Sequence, residues 1–288
     1  MFKHIKHKID RPFVETAHTE EGHFYKTESG KTYPSITTVL KILDTKEWYP
    51  FWVAKVSRDE EINEAQAEIR CKEIGGNSMK MGNIVHKLAE EYLSNNPVDE
   101  SNAEIEGLNP LDLFLPLSIH LMEHVDNVHG LEIPIYSGDL ELAGTADCIA
   151  EYDGVLSIVD FKNSRKPKTK SMCKSKDYFI QLCAYAKMWE FCTDQKIDQG
   201  VILVISWDGV VKPFKVNLSE YEADLYKKLV LVEQKQALNS IWEKIYMVKL
   251  IEKRDDITGE KELVIDKRTL PKLVPCLLYT SDTADDLP

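Results

Sequence analysis

The sequence predicts a mixed α/β fold: a central mixed sheet flanked by helices, with a helical elaboration at the N-terminal side. Two observations lead there. Five β-branched and aliphatic runs recur between residues 131 and 216, separated by turn signals. Segments of helical periodicity precede, interrupt and follow those runs.

Taken in chain order, residues 1–21 read as a polar arm. His23–Tyr33 reads as a hairpin turning at Ser29-Gly30. Ser35 or Thr37 is positioned to cap a short helix through Leu43. Glu47–Ile74 reads as helical, stopped by Gly75-Gly76-Asn77. Ser78 is then the expected cap of a helix carrying His86 and Glu90, which runs to about Ser94 before Asn95-Asn96-Pro97 ends it. A polar, acidic connection leads to a helix over about 110–128. Three strands are expected at roughly 131–137, 141–152 and 155–162, followed by a basic loop and a helix over 177–193. Two more strands, about 200–207 and 210–216, flank an Asp208-Gly209 turn, and a long helix from about 219 to 247 closes the core. The expected organisation is an arm (1–21) and one domain (22–275), divided into an elaboration (22–77) and a core (78–250). The last residues, 276–288, read as a non-native, adapter-derived tail and are excluded from the fold.

The most informative residues are Asp147, Asp160 and Lys162. Both acids interrupt apolar strand runs, and a buried charge is costly unless paired or bound to a metal. Alternate strand residues share a face, so Asp160 and Lys162 point together. A hairpin through Asp153-Gly154 brings Asp147 close to Asp160. Two carboxylates and an ammonium then converge, which suits a hard divalent cation and an attacking water. The bland alternative is a solvated strand end. His86 and Glu90, four apart, share a helix face. Glu132 opens the strand before Asp147, and Gln181 and Tyr185 lie one helical turn apart just after the Asp-x-Lys strand.

The order His on a helix, Glu, Asp, Asp-x-Lys, then Gln-x-x-x-Tyr resembles the RecB-like branch of the PD-(D/E)xK nuclease superfamily. Tyr33-Pro34-Ser35-Ile36-Thr37-Thr38-Val39-Leu40, followed by Trp-bearing helical segments and the Gly-x-x-x-His helix, resembles the mitochondrial genome maintenance exonuclease group and its phage-encoded relatives. The resemblance covers roughly residues 22–216. It implies a restriction-endonuclease-like core and a DNA exonuclease that uses Mg²⁺ or Mn²⁺ and acts on single-stranded DNA or ends. One departure is Lys162-Asn163-Ser164, where these relatives often carry Lys-Thr-Ser.

On this reading Asp147 and Asp160 hold metal, with the Phe161 backbone carbonyl a third ligand. Lys162 orients or activates the nucleophilic water. His86 is an added ligand, on the strength of the resemblance more than of the spacing. Glu132 is either a ligand, directly or through water, or an exposed strand-start carboxylate. Glu90 supports the site or pairs with a lysine. Gln181 and Tyr185 hold the site's backbone or contact DNA, or else pack into the core. Trp48, Tyr49 and Trp52 can stack on unpaired bases, although aromatic residues at helical spacing are more often core. The alternatives are a structure-specific or restriction-like endonuclease, and a non-catalytic nucleic-acid-binding module on the same fold.

Charge narrows the partner class. The formal net charge of −12 argues against broad nucleic-acid affinity, although three of the acids lie in the tail. From Lys162 to Lys176, seven lysines or arginines occur with no acid, so Ser164, Arg165, Lys166, Lys168 and Lys170 are candidate DNA contacts. Six cysteines without close pairs fit reduced thiols; Cys71 alone is placed for an iron–sulfur cluster, which is not expected. No run is long enough to span a bilayer, and the N-terminus lacks the apolar core of a secretory signal. The expectation is a soluble protein of a bacterial or phage-infected cytoplasm rather than of the mitochondrial matrix.

Overall fold

The computed structural model describes residues 1–246, except 10–12, 20–21, 45, 100 and 102, together with 250–254 and 261–265. The tail at 276–288 lies outside the described residues. Two compact units are present, Met1–Leu229 and Val230–Pro288.

In the first unit, β1 (Phe13–Thr19), β2 (Gly22–Thr27) and β3 (Thr32–Pro34) form an antiparallel sheet. The expected arm is therefore partly strand. Phe13 supplies the reason, since its ring meets Tyr25 and Tyr136 at 5.2 and 5.4 Å. The residues before it are also held: Ile5 N–H donates to Val128 O, and Val128 N–H to Lys3 O, each at 2.8 Å. Helix α1 (Ile36–Leu43) is capped by Ser35, whose hydroxyl accepts from Thr38 N–H.

The next two helices differ from expectation. The chain breaks after α2 (Trp48–Asp59), because Asn63 starts a new helix with a full capping box to Gln66. That helix, α3 (Glu64–Leu93), then runs for 30 residues straight through Gly75-Gly76. Two glycines cost about 1 kcal/mol each against alanine in a helix. The cap and the buried row Met81, Val85, Leu88, Ala89 and Leu93 outweigh that cost. Ser78, the expected cap, instead donates back to Ile74 O at 2.8 Å.

Helix α4 (Pro110–His124) ends earlier than expected and passes directly into β4 (Val125–Ser137). Then come β5 (Leu142–Tyr152), β6 (Val155–Ser164), α5 (Lys170–Ser175), α6 (Tyr178–Thr193), β7 (Gln199–Ser206) and β8 (Val211–Asn217). The basic loop thus contains a short helix, α5, capped by Thr169. The main sheet has the order β4-β5-β6-β7-β8, antiparallel except for β6 and β7, between which α6 makes the crossover. A 3₁₀ turn (Leu218–Tyr221) leads to α7 (Glu222–Tyr246). In the second unit β9 (Leu250–Arg254) and β10 (Lys261–Ile265) pair antiparallel.

Strand alternation sorts the sheet's two faces. Cys148, Ala150, Tyr152, Val159, Phe161, Val201, Leu203 and Ile205 pack against α3 and α4. The opposite face is covered by α6, which is apolar around most of its circumference and buried accordingly. Among the described residues no helix is long and apolar enough to cross a membrane.

His120 of α4 shares a 2.7 Å hydrogen bond between its Nε2 and the Tyr152 hydroxyl, and its ring lies 4.3 Å from that of His124. Burial, then the neighbouring His124, lowers its pKa from 6.5 to about 4. A histidine kept neutral by folding contributes stability above pH 6.5 that is lost as pH falls from 6.5 towards 4. His120→Gln, which keeps a polar partner for Tyr152, is expected to flatten the fall of Tm across that window. An unchanged slope in pH-dependent thermal unfolding would show that another group sets the acid limb.

Candidate active site

The hairpin between β5 and β6 builds the site. Asp153 and Gly154 both have left-handed φ, +51° and +75°, as a two-residue type I′ turn requires. The register then runs from Tyr152–Val155 to Cys148–Val159. One rung further, Asp147 stands opposite Asp160. Like charges directly opposed are destabilising, and the ladder stops there. Asp147 Oδ2 instead accepts the Phe161 N–H at 2.9 Å, filling the backbone bond that the lost rung leaves open.

Two more elements converge on this gap. In β4, Glu132 falls between the pairs Leu131–Cys148 and Ile133–Ala146, opposite Asp147, and has the unusual φ of +40° for a glutamate. Strained backbone of this kind persists where surrounding structure over-determines it. From the other side, α3 brings His86 Nδ1 to 3.4 Å from Asp147 Oδ2, its ring edge-on to Phe161 at 5.7 Å. His86, Glu132 and Asp147 each offer a ligand atom within 4.8 Å of the others. Glu90, one turn beyond His86, is close enough to raise the Glu132 pKa.

The electrostatics show an excess of negative charge. Asp160 is 1% exposed, and its Oδ1 has no hydrogen-bond partner among the described residues. Its Oδ2 is paired with Lys162, whose Nζ lies 2.5 Å away. Burial raises the Asp160 pKa to about 6, with Lys162 opposing and Asp147 adding. Burial also raises Glu132, to about 8, helped by Asp147, Glu90 and Asp160. For Lys162 burial acts downward, but Asp160 and Asp147 outweigh it and hold the ammonium above its ordinary value. A buried, unpartnered carboxylate oxygen beside a His and two further acids is part of the donor set a hard divalent cation takes. These residues therefore fit a divalent-cation site.

Helix α6 closes the site on the far face of the sheet. Gln181 Nε2 donates to the Tyr185 hydroxyl at 3.1 Å, and both side chains are buried. Burial, then Asp160 and Asp147, raises the Tyr185 pKa well above 10.0. Tyr178, on the same helix, lies under Lys162 with its ring centroid 5.1 Å from Nζ. Sequence reading passed over Tyr178, although its place three residues before Gln181 was a usable signal. Asn163, which stands where the relatives often carry Thr, donates to Ser78 O at 3.0 Å and accepts from Trp207 Nε1 at 3.0 Å, joining α3 to the end of β7.

The basic run is not uniform. Arg165 pairs with Glu106 at 2.6 Å, donates to Ser78 Oγ at 3.3 Å and lies over the Trp207 ring at 4.3 Å. Its guanidinium holds protein to protein. The Ser164 hydroxyl is turned to Lys166 O at 2.8 Å. Lys166 and Lys170 are exposed, Lys170 reaching Lys215 O at 3.3 Å, and Lys168 is half-buried with a pKa lowered by burial and by Lys176. Of the aromatic residues on α2, Tyr49 and Trp52 pack onto Val53, Val56, Ala67 and Cys71, whereas Trp48 is 45% exposed.

No family model matches the chain. It is homologous to mitochondrial genome maintenance exonuclease 1. With the Homo sapiens protein it shares 29% identity over 185 residues, 61% of this chain and 50% of the relative. With the Mus musculus protein it shares 31% over 139 residues, 48% of this chain and 40% of the relative. The chain spans half or less of the length of these curated relatives. A solved structure of a candidate exonuclease from Eubacterium rectale covers 55% of this chain and 65% of that one, at 16% identity and a TM-score of 0.37.

Gly144 of β5 tests the packing behind the site. A Cβ there would come within 2.7 Å of Tyr185 Cε1. Gly144→Ala is expected to destabilise the protein by roughly 1–3 kcal/mol, the usual cost of overpacking. Urea unfolding measures it, and a neutral result would show that Tyr185 can move aside freely.

Proposed function

We propose that this chain is a metal-dependent deoxyribonuclease of the PD-(D/E)xK type, RecB-like, which hydrolyses phosphodiester bonds from DNA ends, with preference for single strands. The observation that carries the proposal is the convergence of His86, Glu132 and Asp147 beside the buried Asp160–Lys162 pair. Similarity to exonucleases of mitochondrial genome maintenance supports the reaction class.

His86, Glu132, Asp147 and Asp160 would hold Mg²⁺ or Mn²⁺. The Phe161 carbonyl is a further candidate, since a strand residue sends its N–H and C=O to the same edge and its N–H already meets Asp147. The cation supplies Lewis-acid polarisation of a phosphoryl oxygen and a lowered pKa for water. The protein's own residues do the rest. Lys162, held charged by Asp160 and Asp147, meets the attacking water or a non-bridging oxygen and offsets charge as phosphorus becomes pentavalent. Tyr178 and Asp160 fix the ammonium's position. Gln181 and Tyr185 back the carboxylates from α6 and exclude water from that side. Glu90 adds negative charge at the Glu132 edge. Lys166, Lys168 and Lys170 are the phosphate contacts of the basic run, while Arg165 serves mainly to fix that run to α3 and Glu106.

End-labelled linear and covalently closed single strands, incubated with Mg²⁺ or Mn²⁺, test the reading. Linear strands should shorten while circles survive, and chelator should stop the reaction. Lys162→Ala should lower kcat by roughly 10²–10³, the usual loss of a transition-state charge partner, in protein shown by circular dichroism to be folded. Asp160→Asn should be inactive. Hydrolysis that persists in excess chelator would end the metal-nuclease proposal, and rapid nicking of circles would move it to an endonuclease.

A further inference from the structure

We infer that the first turns of α2 and the lysines around α5 form a stacking surface for single-stranded nucleic acid, with bases on Trp48 and Phe51 and phosphates on Lys166, Lys174 and Lys176. The identity of the ligand rests on the nuclease reading; the surface itself stands on separate residues.

Helix α2 buries Val53 and Val56, so its opposite face is turned outward. There Phe51 is 77% exposed and Trp48 is 45% exposed. Residues three apart are neighbours on a helix surface, which sets the two rings side by side. Trp48 is braced from within by Tyr49 and Trp52, whose rings each lie 5.9 Å from it. It is thus a fixed platform rather than a loose side chain.

The basic run flanks this helix at both ends. Lys176 Nζ lies 5.1 Å from the Trp48 ring centroid. At the other end the Asp59 pKa is lowered, first by Lys55 and further by Arg58 and Lys166. Among the described residues Lys166, Lys174 and Lys176 form no ion pair, and the fifteen residues 162–176 contain no acid. An exposed ring with Lys176 beside it, in a run that holds seven basic residues and no acid, matches the two components of single-strand binding, phosphate neutralisation and sequence-tolerant stacking. A duplex keeps its base faces stacked on one another and would gain nothing from the rings. An apolar protein partner would leave the lysines unanswered. The basic run also leaves β6 just past Lys162, so a strand held here lies along the segment that leads to the site.

The test uses the full chain in excess chelator, where hydrolysis is blocked, and fluorescein-labelled oligothymidylate with and without abasic positions. Wild type should prefer the base-bearing strand. Phe51→Ala and Trp48→Ala should each weaken its binding by about 5- to 150-fold, the range of losing one stacked base, while abasic binding changes little. Phe51→Tyr should restore affinity. Thermal unfolding controls for folding, and Phe51 is exposed enough that its loss leaves the core intact. Equal binding of base-bearing and abasic strands by wild type, or an unchanged ratio in both alanine variants, would overturn the inference. Cleavage is scored separately with Mg²⁺: an inactive protein that still shows the base-dependent contrast would defeat the nuclease reading alone. An active protein without the contrast would defeat this inference alone.

Discussion

Two carboxylates set opposite each other across paired strands govern the architecture around them. The turn at Asp153-Gly154 fixes the β5–β6 register, and the register forces Asp147 to face Asp160. The strands part at that rung. Asp147 then takes a backbone N–H that a β ladder would otherwise use, and the opening becomes a small polar space inside an apolar sheet. Everything nearby accommodates it. Lys162 turns back onto Asp160, α3 lends His86, β4 twists through a left-handed glutamate, and α6 seals the far face with Gln181 and Tyr185. Burial and the neighbouring acids raise the pKa of Glu132 to about 8, so its carboxyl carries a proton near neutral pH. A fold that leaves Asp160 Oδ1 buried without a hydrogen bond gives up stability at that point.

The length of α3 matters because one rigid helix spans from the cluster on α2 to the carboxylates. Its middle is tied to the end of β6 and the residue that follows it through Ser78: the carbonyl accepts from Asn163 and the hydroxyl from Arg165. Glu106 and Trp207 complete that junction. The position of His86 and the exit of the basic run are therefore mechanically linked, even though Arg165 carries none of the proposed chemistry.

What the sequence disclosed follows local physics. Strand alternation and the Asp-Gly turn located Asp147, Asp160 and Lys162 on one opening, because a two-residue turn leaves little freedom of register. Helix spacing placed His86 and Glu90 on one face, and Gln181 beside Tyr185. The readings that failed were those in which a distant partner decided the outcome. Gly75-Gly76 looks like a helix stop until the Asn63 cap and the buried row of α3 are counted. Phe13 makes a strand of a polar arm only because Tyr25 and Tyr136 wait for its ring. Arg165 read as a phosphate contact because Glu106, 59 residues earlier, gives no local sign of its pairing. Glu132 was ambiguous in the sequence for a related reason: its role depends on a left-handed backbone that only the β4–β5 register reveals.

On the proposed reading, the parted strands form a cation site whose acids give up a proton on binding. Calorimetric titration of the protein with Mn²⁺ near pH 7, repeated in buffers of different ionisation enthalpy, measures affinity and proton release together. Glu132, with a pKa near 8, must ionise to bind, so wild type should release close to one proton per site. Glu132→Gln should bind more weakly and without that proton, and Asp147→Asn should lose binding. Mn²⁺ binding of equal affinity in wild type and Asp147→Asn, or no binding to wild type, would contradict the account.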